Sequence, residues 1–262
     1  YFGFNIYNIT HNSVYANAIF NSIIGDSRNK FKTGISATYD DYDELVVIRN
    51  DTRKYKRTEN SLGAFFEYSY DNLGDLNLTA GLRIDTDNLL GTFLTPRIHV
   101  RYTPWDDSAF RLSAGRGKRS ANIFTENQKM FASSRAINIL DTNGSIYGLD
   151  PEIAWNYGVS YSQKFTVFGI KSEMTFDYYR TDFVNQIVVD WENPREVNFY
   201  NLKGESYANS FQAELSMHII EGLDFRTAYK FYNVKTDYSY SVGKLDNPLI
   251  PRDRVFANVS YE

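Results

Sequence analysis

The chain has 262 residues and a formal net charge of −4 at pH 7, so it lacks the basic footprint that nucleic-acid binding requires. It contains no cysteine, which excludes disulfide frameworks, thiolate metal sites and cysteine nucleophiles. Aromatic residues make up 16% of the chain, yet the mean hydropathy is −0.45. No apolar run approaches the roughly 18 residues that a membrane helix needs, so the sequence excludes such a helix.

A period-2 alternation of apolar and polar residues becomes clear at Val14 and predicts β-strands along the rest of the chain. Residues 1–10 are aromatic and β-prone but alternate poorly, so only a partial strand is predicted there. The alternating segments are 14–20, 31–39, 62–70, 76–84, 94–102, 110–114, 155–161, 170–178, 211–219, 223–231 and 255–261.

The connections between these segments alternate in length. Short turns are predicted near residues 25, 73, 105, 166 and 221, and mostly longer loops at 40–60, 87–93, 117–150, 181–206 and 234–252. The loop 117–150 contains a predicted short helix around 122–132, where Ile123, Phe124, Met130 and Phe131 share a side. A small hairpin is predicted from 187–189 and 197–200.

One face of the predicted strands is apolar throughout, whereas the other carries charged and small polar residues. A polar face cannot form the core of a sandwich, so it must meet water or a polar filling. Unequal connections together with an apolar band are typical of outer-membrane barrels. We therefore predict an all-β fold, an antiparallel transmembrane β-barrel with about 11–12 strands here, over a soluble antiparallel sheet with one wetted face.

The sequence contains at most partial matches to known catalytic and metal-binding motifs. Ser120 stands where the third glycine of a nucleotide loop would follow Gly115 and Gly117. The histidines His11, His99 and His218 lack metal-ligand spacing, so they are interpreted as polar residues of the barrel interior. No Gly-x-Ser-x-Gly elbow is present, and the acidic run 40–44 is interpreted as a solvated loop rather than a cation site. We expect no cofactor, no metal and no enzymatic activity.

Several segments, in their order and spacing, carry a family resemblance over nearly the whole chain. They are 80–85 (AGLRID), 95–102 (TPRIHVRY), 113–119 (SAGRGKR) with 122–126 (NIFTE), 149–152 (LDPE) with 155–158 (WNYG), 198–201 (NFYN) and 210–215 (SFQAEL). The chain resembles TonB-dependent outer-membrane receptors, especially those of Bacteroidetes-type bacteria.

The resemblance implies a barrel of about 22 strands that is filled by an N-terminal plug. Such a receptor sits in the bacterial outer membrane and imports a scarce ligand, such as an iron chelate or cobalamin, into the periplasm. The implied partners are outer-membrane lipid, the plug of the same polypeptide, the TonB complex and the small-molecule ligand. Residues 1–262 would form a partial barrel domain, without the plug, the TonB-contact box and the remaining strands.

Charged residues on the polar face are the first candidate site. Arg83, Arg97, Arg101, Arg111 and Glu67 fall on this face of neighbouring strands. Two interpretations stay open: these residues pair with one another and hold water, or they contact the plug.

A second candidate site lies where strands border the long loops. Binding residues concentrate on loops carried by a rigid scaffold. The vestibule or ligand candidates are Arg116, Arg119, Glu126, Glu152 and Glu205.

Two alternatives to ligand import remain at this stage. One is an outer-membrane adhesin or barrel enzyme that uses its long loops, and the other is a passive porin. A plug domain encoded upstream would favour the receptor, whereas conductance without a plug would favour the porin.

Overall fold

A computed structural model describes residues 5–49, 51–241, 243–248 and 250–261. Within these residues the chain is almost entirely antiparallel β-structure. The elements are β1 (Ile6–Ile23), β2 (Asn29–Ile48), β3 (Asp51–Asp71), β4 (Leu76–Asp87), β5 (Gly91–Tyr102), β6 (Ser108–Arg119), α1 (Ile123–Glu126), a 3₁₀ helix (Gln128–Ala132), β7 (Ala136–Ile139), β8 (Glu152–Val167), β9 (Ile170–Asn185), β10 (Ile187–Asp190), β11 (Glu196–Asn201), β12 (Ser206–Ile220), β13 (Leu223–Asp237), β14 (Lys244–Asp246) and β15 (Asp253–Tyr261).

In the described part, twelve of these strands form one sheet in the order β1-β2-β3-β4-β5-β6-β8-β9-β12-β13, with β14 and β15 both on β13. β14 pairs with Lys235–Asp237 and β15 pairs with Leu223–Phe231, so the two together occupy one strand position. Within this sheet, each strand from β1 to β13 pairs with the sheet strands that come before and after it along the chain, while β7, β10 and β11 form a separate sheet. The all-β antiparallel fold is therefore confirmed.

The strand registers bring the apolar alternation of each strand onto a single face of the sheet. Residues directly opposite each other on antiparallel strands share a face. One such row runs through Val100, Leu112, Val159, Tyr178, Phe211 and Phe231. We call this side the apolar face and the opposite side the polar face. The tight turns lie at one end of the sheet, which we call the short-turn end. We call the opposite end the long-loop end.

The polar stretch 40–60 is not a loop, so that prediction was wrong. β2 continues to Ile48 and β3 begins at Asp51, which makes a hairpin paired in unbroken register from Ile48 and Asp51 down to Asn29 and Tyr70. β1 accompanies it, since Ile6 pairs with Val47. The connection 87–93 is also shorter than predicted, because β4 ends at Asp87 and β5 starts at Gly91.

The two long connections fold into a small unit of their own. β10 and β11 form the predicted hairpin, and β7 adds to β11 in parallel. The predicted helix is present as α1 and the 3₁₀ helix. We call residues 120–150 and 186–202 the cap. No helix in the described ranges is long and apolar enough to cross a membrane.

Candidate functional site

The cap packs against the polar face of the β2–β3 hairpin through a dense apolar core. The side chains predicted to share one side of the helix are at most 1% exposed, and Val46 and Ile48 of β2 join them. Val46 and Ile48 lie on the same face of β2 as Ser36, which is the polar face. The cap therefore covers the polar face at the long-loop end of the hairpin. This end lies beyond the strand segments, such as 31–39 of β2, that carry apolar residues on the opposite face, and we call those segments the apolar band. The cluster comprises Val46, Ile48, Ala121, Ile123, Phe124, Met130, Phe131, Ile137, Leu149, Ile187, Val197 and Phe199.

A buried carboxylate, Glu44, links the cap to β1 and β3. Its side chain is 0% exposed and forms an ion pair with Arg57. The Tyr7 hydroxyl donates to Glu44 Oε2 at 2.9 Å, and the Tyr147 hydroxyl of the cap donates to Oε1 at 2.5 Å. A buried charge is tolerated when it is paired and hydrogen-bonded, and Glu44 meets both conditions.

Arg57 is the counterpart of Glu44 and is 10% exposed. Its Nε donates to Glu59 at 2.8 Å, Nη1 donates to the Tyr147 hydroxyl at 2.9 Å, and Nη2 donates to Asn122 of the cap. The guanidinium also lies 3.9 Å from the centre of the Tyr42 ring, within cation–π range. Every side of the guanidinium is therefore occupied by strand or cap residues.

The pKa values of this network favour its hydrogen-bonded state. Burial raises the pKa of Tyr7 to about 12, and burial with the bond to Glu44 raises the pKa of Tyr147 further. Burial disfavours the charged form of Arg57, but the bonds to Glu59 and Glu44 outweigh it and raise its pKa. At neutral pH the phenols stay protonated donors and Arg57 stays charged.

Sequence reasoning missed this network because Glu44 and Arg57 were placed in a solvated loop. The available signal was the run Leu45, Val46, Val47, Ile48, whose β-branched residues favour a strand covered on both faces.

The predicted vestibule residues Arg119, Glu126 and Glu152 meet at the edge of the cap. The Arg119 guanidinium donates to both oxygens of Glu126 at 3.0 and 2.9 Å and to Glu152 at 2.9 Å. Glu152 in turn accepts from the backbone N–H of Ile187 at 3.1 Å. The hydrogen bonds to Glu126, with help from Glu152, raise the pKa of Arg119. The cluster joins α1, β8 and β10.

The other two vestibule candidates lie elsewhere. Arg116 pairs with Trp155 and so lies on the apolar face of β6, opposite to Arg119, where it donates to the Leu94 carbonyl at 2.8 Å. Glu205 precedes β12 and forms an ion pair with Lys244.

Most of the predicted polar-face charges pair within that face. Arg97 pairs with Glu67, and Arg111 donates to Ser162 at 3.3 Å. Arg83 binds Asp85 at 2.7 Å and reaches across Gly63 to donate to Ser36 at 2.7 Å. Arg101 is exposed and has no hydrogen-bond or ion-pair partner among the described residues. Their contact with a plug stays a prediction.

A cavity of about 510 Å³ opens between the cap and the segment that follows β13. Lys129 Nζ lies 4.9 Å from the centre of the Trp191 ring, and Arg135 Cζ lies 5.8 Å from it. Burial raises the pKa of Tyr238 to about 12, so it lines the cavity as a neutral phenol. The described lining holds two cations and no carboxylate: Asn127, Lys129, Arg135, Gln186, Ile187, Val188, Val189, Trp191, Thr236, Tyr238, Asn247, Pro248 and Ile250.

No pattern in the sequence connects these cavity residues, because they come from three separated loops. The histidines give no metal site either. His11 contacts Asp40 at 2.8 Å and His218 contacts Asp224. No group of three metal-ligating side chains occurs in the part of the chain that the structure describes.

A family model described as TonB dependent receptor-like, beta-barrel, matches residues 1–262. No curated protein matches the chain.

Solved structures with the same fold include two receptors for ferric ligands and an iron transporter. The ferric enterobactin receptor of Pseudomonas aeruginosa has a TM-score of 0.61 at 13% identity, over 89% of this chain and 40% of the receptor. The ferripyoverdine receptor of the same species has a TM-score of 0.65 at 14% identity, over 98% and 36%. The FrpB iron transporter of Neisseria meningitidis has 0.55 at 16% identity, over 87% and 36%. The chain therefore spans 36–40% of the length of these three structures.

Proposed function

The chain belongs to the TonB-dependent receptor-like β-barrel family, whose members lie in the bacterial outer membrane, and from this premise we propose that it forms part of a ligand-import receptor. In this proposal residues 1–262 are one segment of a larger barrel. The apolar face meets lipid, and the polar face lines a lumen that holds the plug. The long-loop end faces the exterior, with the cap at the entrance.

The transported ligand is a small molecule with net negative charge, such as an iron chelate. The observation that carries this proposal is the cavity beside the cap, where Lys129 and Arg135 flank Trp191 without a carboxylate in the described lining. Charge-assisted hydrogen bonds to anions are about twice as strong as neutral ones, and aromatic faces add apolar contact area. Import itself requires binding and gating, so no catalytic group takes part.

Replacing both cations tests the cavity. In the complete receptor, Lys129→Gln with Arg135→Gln should weaken binding of ferric enterobactin by roughly tenfold or more, since hydrogen bonds to charged groups contribute about 1.5–3 kcal/mol each. Cobalamin, which has no comparable anionic shell, should be much less affected. Isothermal titration with both probes makes the comparison. Lys54→Gln with Lys56→Gln, which removes two exposed cations on the apolar face of β3, is the matched control.

The outcomes separate the ligand class from the function. Unchanged binding of the ferric chelate in the double variant would overturn the anionic-ligand proposal. If deletion of the receptor gene changed growth on none of several ferric chelates or cobalamin as sole source, the import function itself would be refuted.

The Arg119 cluster shapes the entrance by holding α1 against β8. Charge reversal at Arg119 and Glu126, as Arg119→Glu with Glu126→Arg, preserves the attraction between these two positions, replaces the attraction of position 119 for Glu152 with a repulsion, and changes the charge pattern presented to the ligand. We expect a measurable change in affinity for the imported ligand. Unchanged affinity would remove these residues from the binding site.

Plug contact is proposed for Arg101, which is the one among the predicted polar-face arginines Arg83, Arg97, Arg101 and Arg111 that has no hydrogen-bond or ion-pair partner in the described chain. Its guanidinium is free to bind a carboxylate of the plug, whereas Arg83 and Arg97 are already paired. A cysteine cross-link from position 101 to the plug would support this contact. Coupling to the TonB complex would act through the same plug.

A further inference from the structure

Among the described residues, β10 forms one edge of the cap sheet, in which the strand order is β10-β11-β7. Its sequence, Ile-Val-Val-Asp, contains no lysine, no proline and no bulge, three features that commonly block pairing at a strand edge. An edge without them presents backbone groups to which another extended chain can pair. β10 therefore offers a template for an added strand.

The ladder between β10 and β11 determines which backbone groups face this edge. The Leu202 N–H donates to the Gln186 carbonyl at 2.9 Å. Hydrogen-bonded pairs alternate with non-bonded pairs in an antiparallel ladder, so Val188 bonds to β11. By the same alternation, Ile187 and Val189 direct their N–H and C=O groups away from β11.

Three of these four outward groups have no hydrogen-bond partner among the described residues. The fourth, the Ile187 N–H, donates to Glu152 Oε1 at 3.1 Å, which agrees with the outward direction. The Ile187 C=O and both backbone groups of Val189 bond to no other residue of the described chain. Buried backbone groups are nearly always paired, and Ile187 is buried, so these groups favour a partner from outside the described chain.

The open edge lies along the cavity beside the cap, since residues 186–189 all line that cavity. Successive side chains of a strand point to opposite faces, so a cavity that four consecutive residues line runs beside the strand edge. The same described lining supplies Lys129 and Arg135 beside Trp191, without a carboxylate. The cavity thus combines backbone pairing groups with positive charge.

We propose that the ligand bound in this cavity carries an extended acidic peptide segment that pairs with β10 as an added strand. This inference rests on the proposed function and gives the anionic ligand a backbone as well as a charge. The added strand forms two backbone hydrogen bonds with Val189 and one with the Ile187 carbonyl. Main-chain bonds supply affinity in this mode of recognition, and the acidic side chains select for Lys129 and Arg135.

The first test measures binding of synthetic peptides to the complete receptor by isothermal titration. The probe is acetyl-Glu-Val-Glu-Val-amide, and two analogues carry N-methyl groups at alternate positions, either the first and third or the second and fourth. Alternate N–H groups of a strand point to the same side, so one analogue should lose affinity and the other should bind like the parent peptide. The expected loss is about tenfold, or 1.4 kcal/mol, for two neutral hydrogen bonds. No binding of the parent peptide, equal affinity of all three, or equal loss in both analogues would overturn strand pairing.

A variant of the receptor removes the donor from the other side. Val189→Pro deletes an N–H that does not bond to β11, at an edge position where a strand tolerates proline. It should weaken binding of the parent peptide by about fivefold or more. Ile139→Pro on the opposite edge of the cap sheet is the matched control and should leave this binding unchanged, because Leu140, not Ile139, donates to β11 there.

Hydrogen exchange distinguishes the ligand from other occupants of the edge. The Val189 amide should exchange faster than that of Val188 in the peptide-free receptor and become protected when the parent peptide binds. Protection before the peptide is added would mean that another segment of the receptor already pairs with β10, which would also overturn the proposal. If strand pairing failed while ferric enterobactin binding still depended on Lys129 and Arg135, the proposed function would stand without it.

Discussion

β2 passes through two regions that use the same alternation in opposite ways. In the band around residues 31–39 the apolar face exposes apolar side chains, with Ile35 59% exposed, while Ser36 on the polar face is 3% exposed. In the capped hairpin above it, Val46 and Ile48 are buried on the face that Ser36 occupies, and Asp43 is exposed on the face of Ile35. The pairing of β2 with β3 does not slip between the two regions, since the register is unbroken.

This difference shows that the residue types on each face of β2 depend on what that face contacts. In the band, the apolar face requires apolar residues if it meets lipid, and the polar face carries ion pairs such as Arg83 with Asp85 and Arg97 with Glu67. In the hairpin, the cap supplies an apolar partner, so Val46 and Ile48 lie on the covered face, while the opposite face gains the exposed charge of Asp43 beside Leu45 and Val47. Glu44 and Arg57 are charged residues on the covered face. Tyr7 and Tyr147 donate hydrogen bonds to Glu44, and Asn122 accepts one from Arg57.

The largest expected effect removes the buried charge in the hairpin. Glu44→Gln removes one of the two carboxylates that pair with Arg57, and because the pair with Glu59 remains we expect a cost near the lower end of the about 3–5 kcal/mol that breaking a buried pair brings. The cap should loosen first, seen as faster amide hydrogen exchange at residues 137–139 and 197–200 than in β4 and β5. Asp43→Asn, the adjacent carboxylate on the exposed face, is the control. Equal exchange in the two variants would contradict the role of Glu44.

The next largest effect is expected from a lysine placed on the apolar face of β2, and its cost should differ between the two regions. Ile35→Lys places a charge in the apolar band and should cost about 2–4 kcal/mol in a lipid bilayer. Val47→Lys lies on the same face of β2 in the hairpin and should cost about 0.5 kcal/mol, as at an ordinary surface. Urea unfolding in phospholipid vesicles measures both. Similar costs would mean that the apolar face does not meet lipid in the band.

Glycine in the band tests how the polar face is packed. A Cβ on Gly63 would lie 2.2 Å from Asp85 Oδ1 and 2.3 Å from Arg83 Nη2, so Gly63→Ala must displace the bonds among Arg83, Asp85 and Ser36. We expect a loss of about 1–2 kcal/mol in urea unfolding. At Gly117 nothing lies within 4 Å, so Gly117→Ala should change stability little. A comparable loss at both positions would refute the packing argument.

The smallest expected effect is the loss, at alkaline pH, of the contribution that Tyr7 makes to stability. Tyr7 titrates near 10 when unfolded and at about 12 in the native state, so the unfolded chain releases its proton first. The contribution of Tyr7 to stability is therefore complete below pH 10 and is lost between pH 10 and 12. Chemical unfolding across this range should show a shallower decline in Tyr7→Phe than in wild type. Parallel declines would place Tyr7 outside the network.

Several elements could be predicted from the sequence because their signals are local. The alternation at 62–70 and 76–84 indicated strands and an apolar face, and Gly25 and Gly222 marked turns that the structure confirms with positive φ. The apolar side of the 122–132 segment indicated the helix. The Arg119 cluster was predicted as a group of border residues, but its contacts were not.

The sequence alone determined the period, the turns and the polarity of each face in the band, because a strand displays these within a few residues. Only the tertiary structure decided that 40–60 is a hairpin, since its charges appear solvated until the cap covers them. It also decided that Glu44 meets Tyr147, more than a hundred residues later in the chain. Such contacts depend on how separate loops pack together, and no local pattern records that packing.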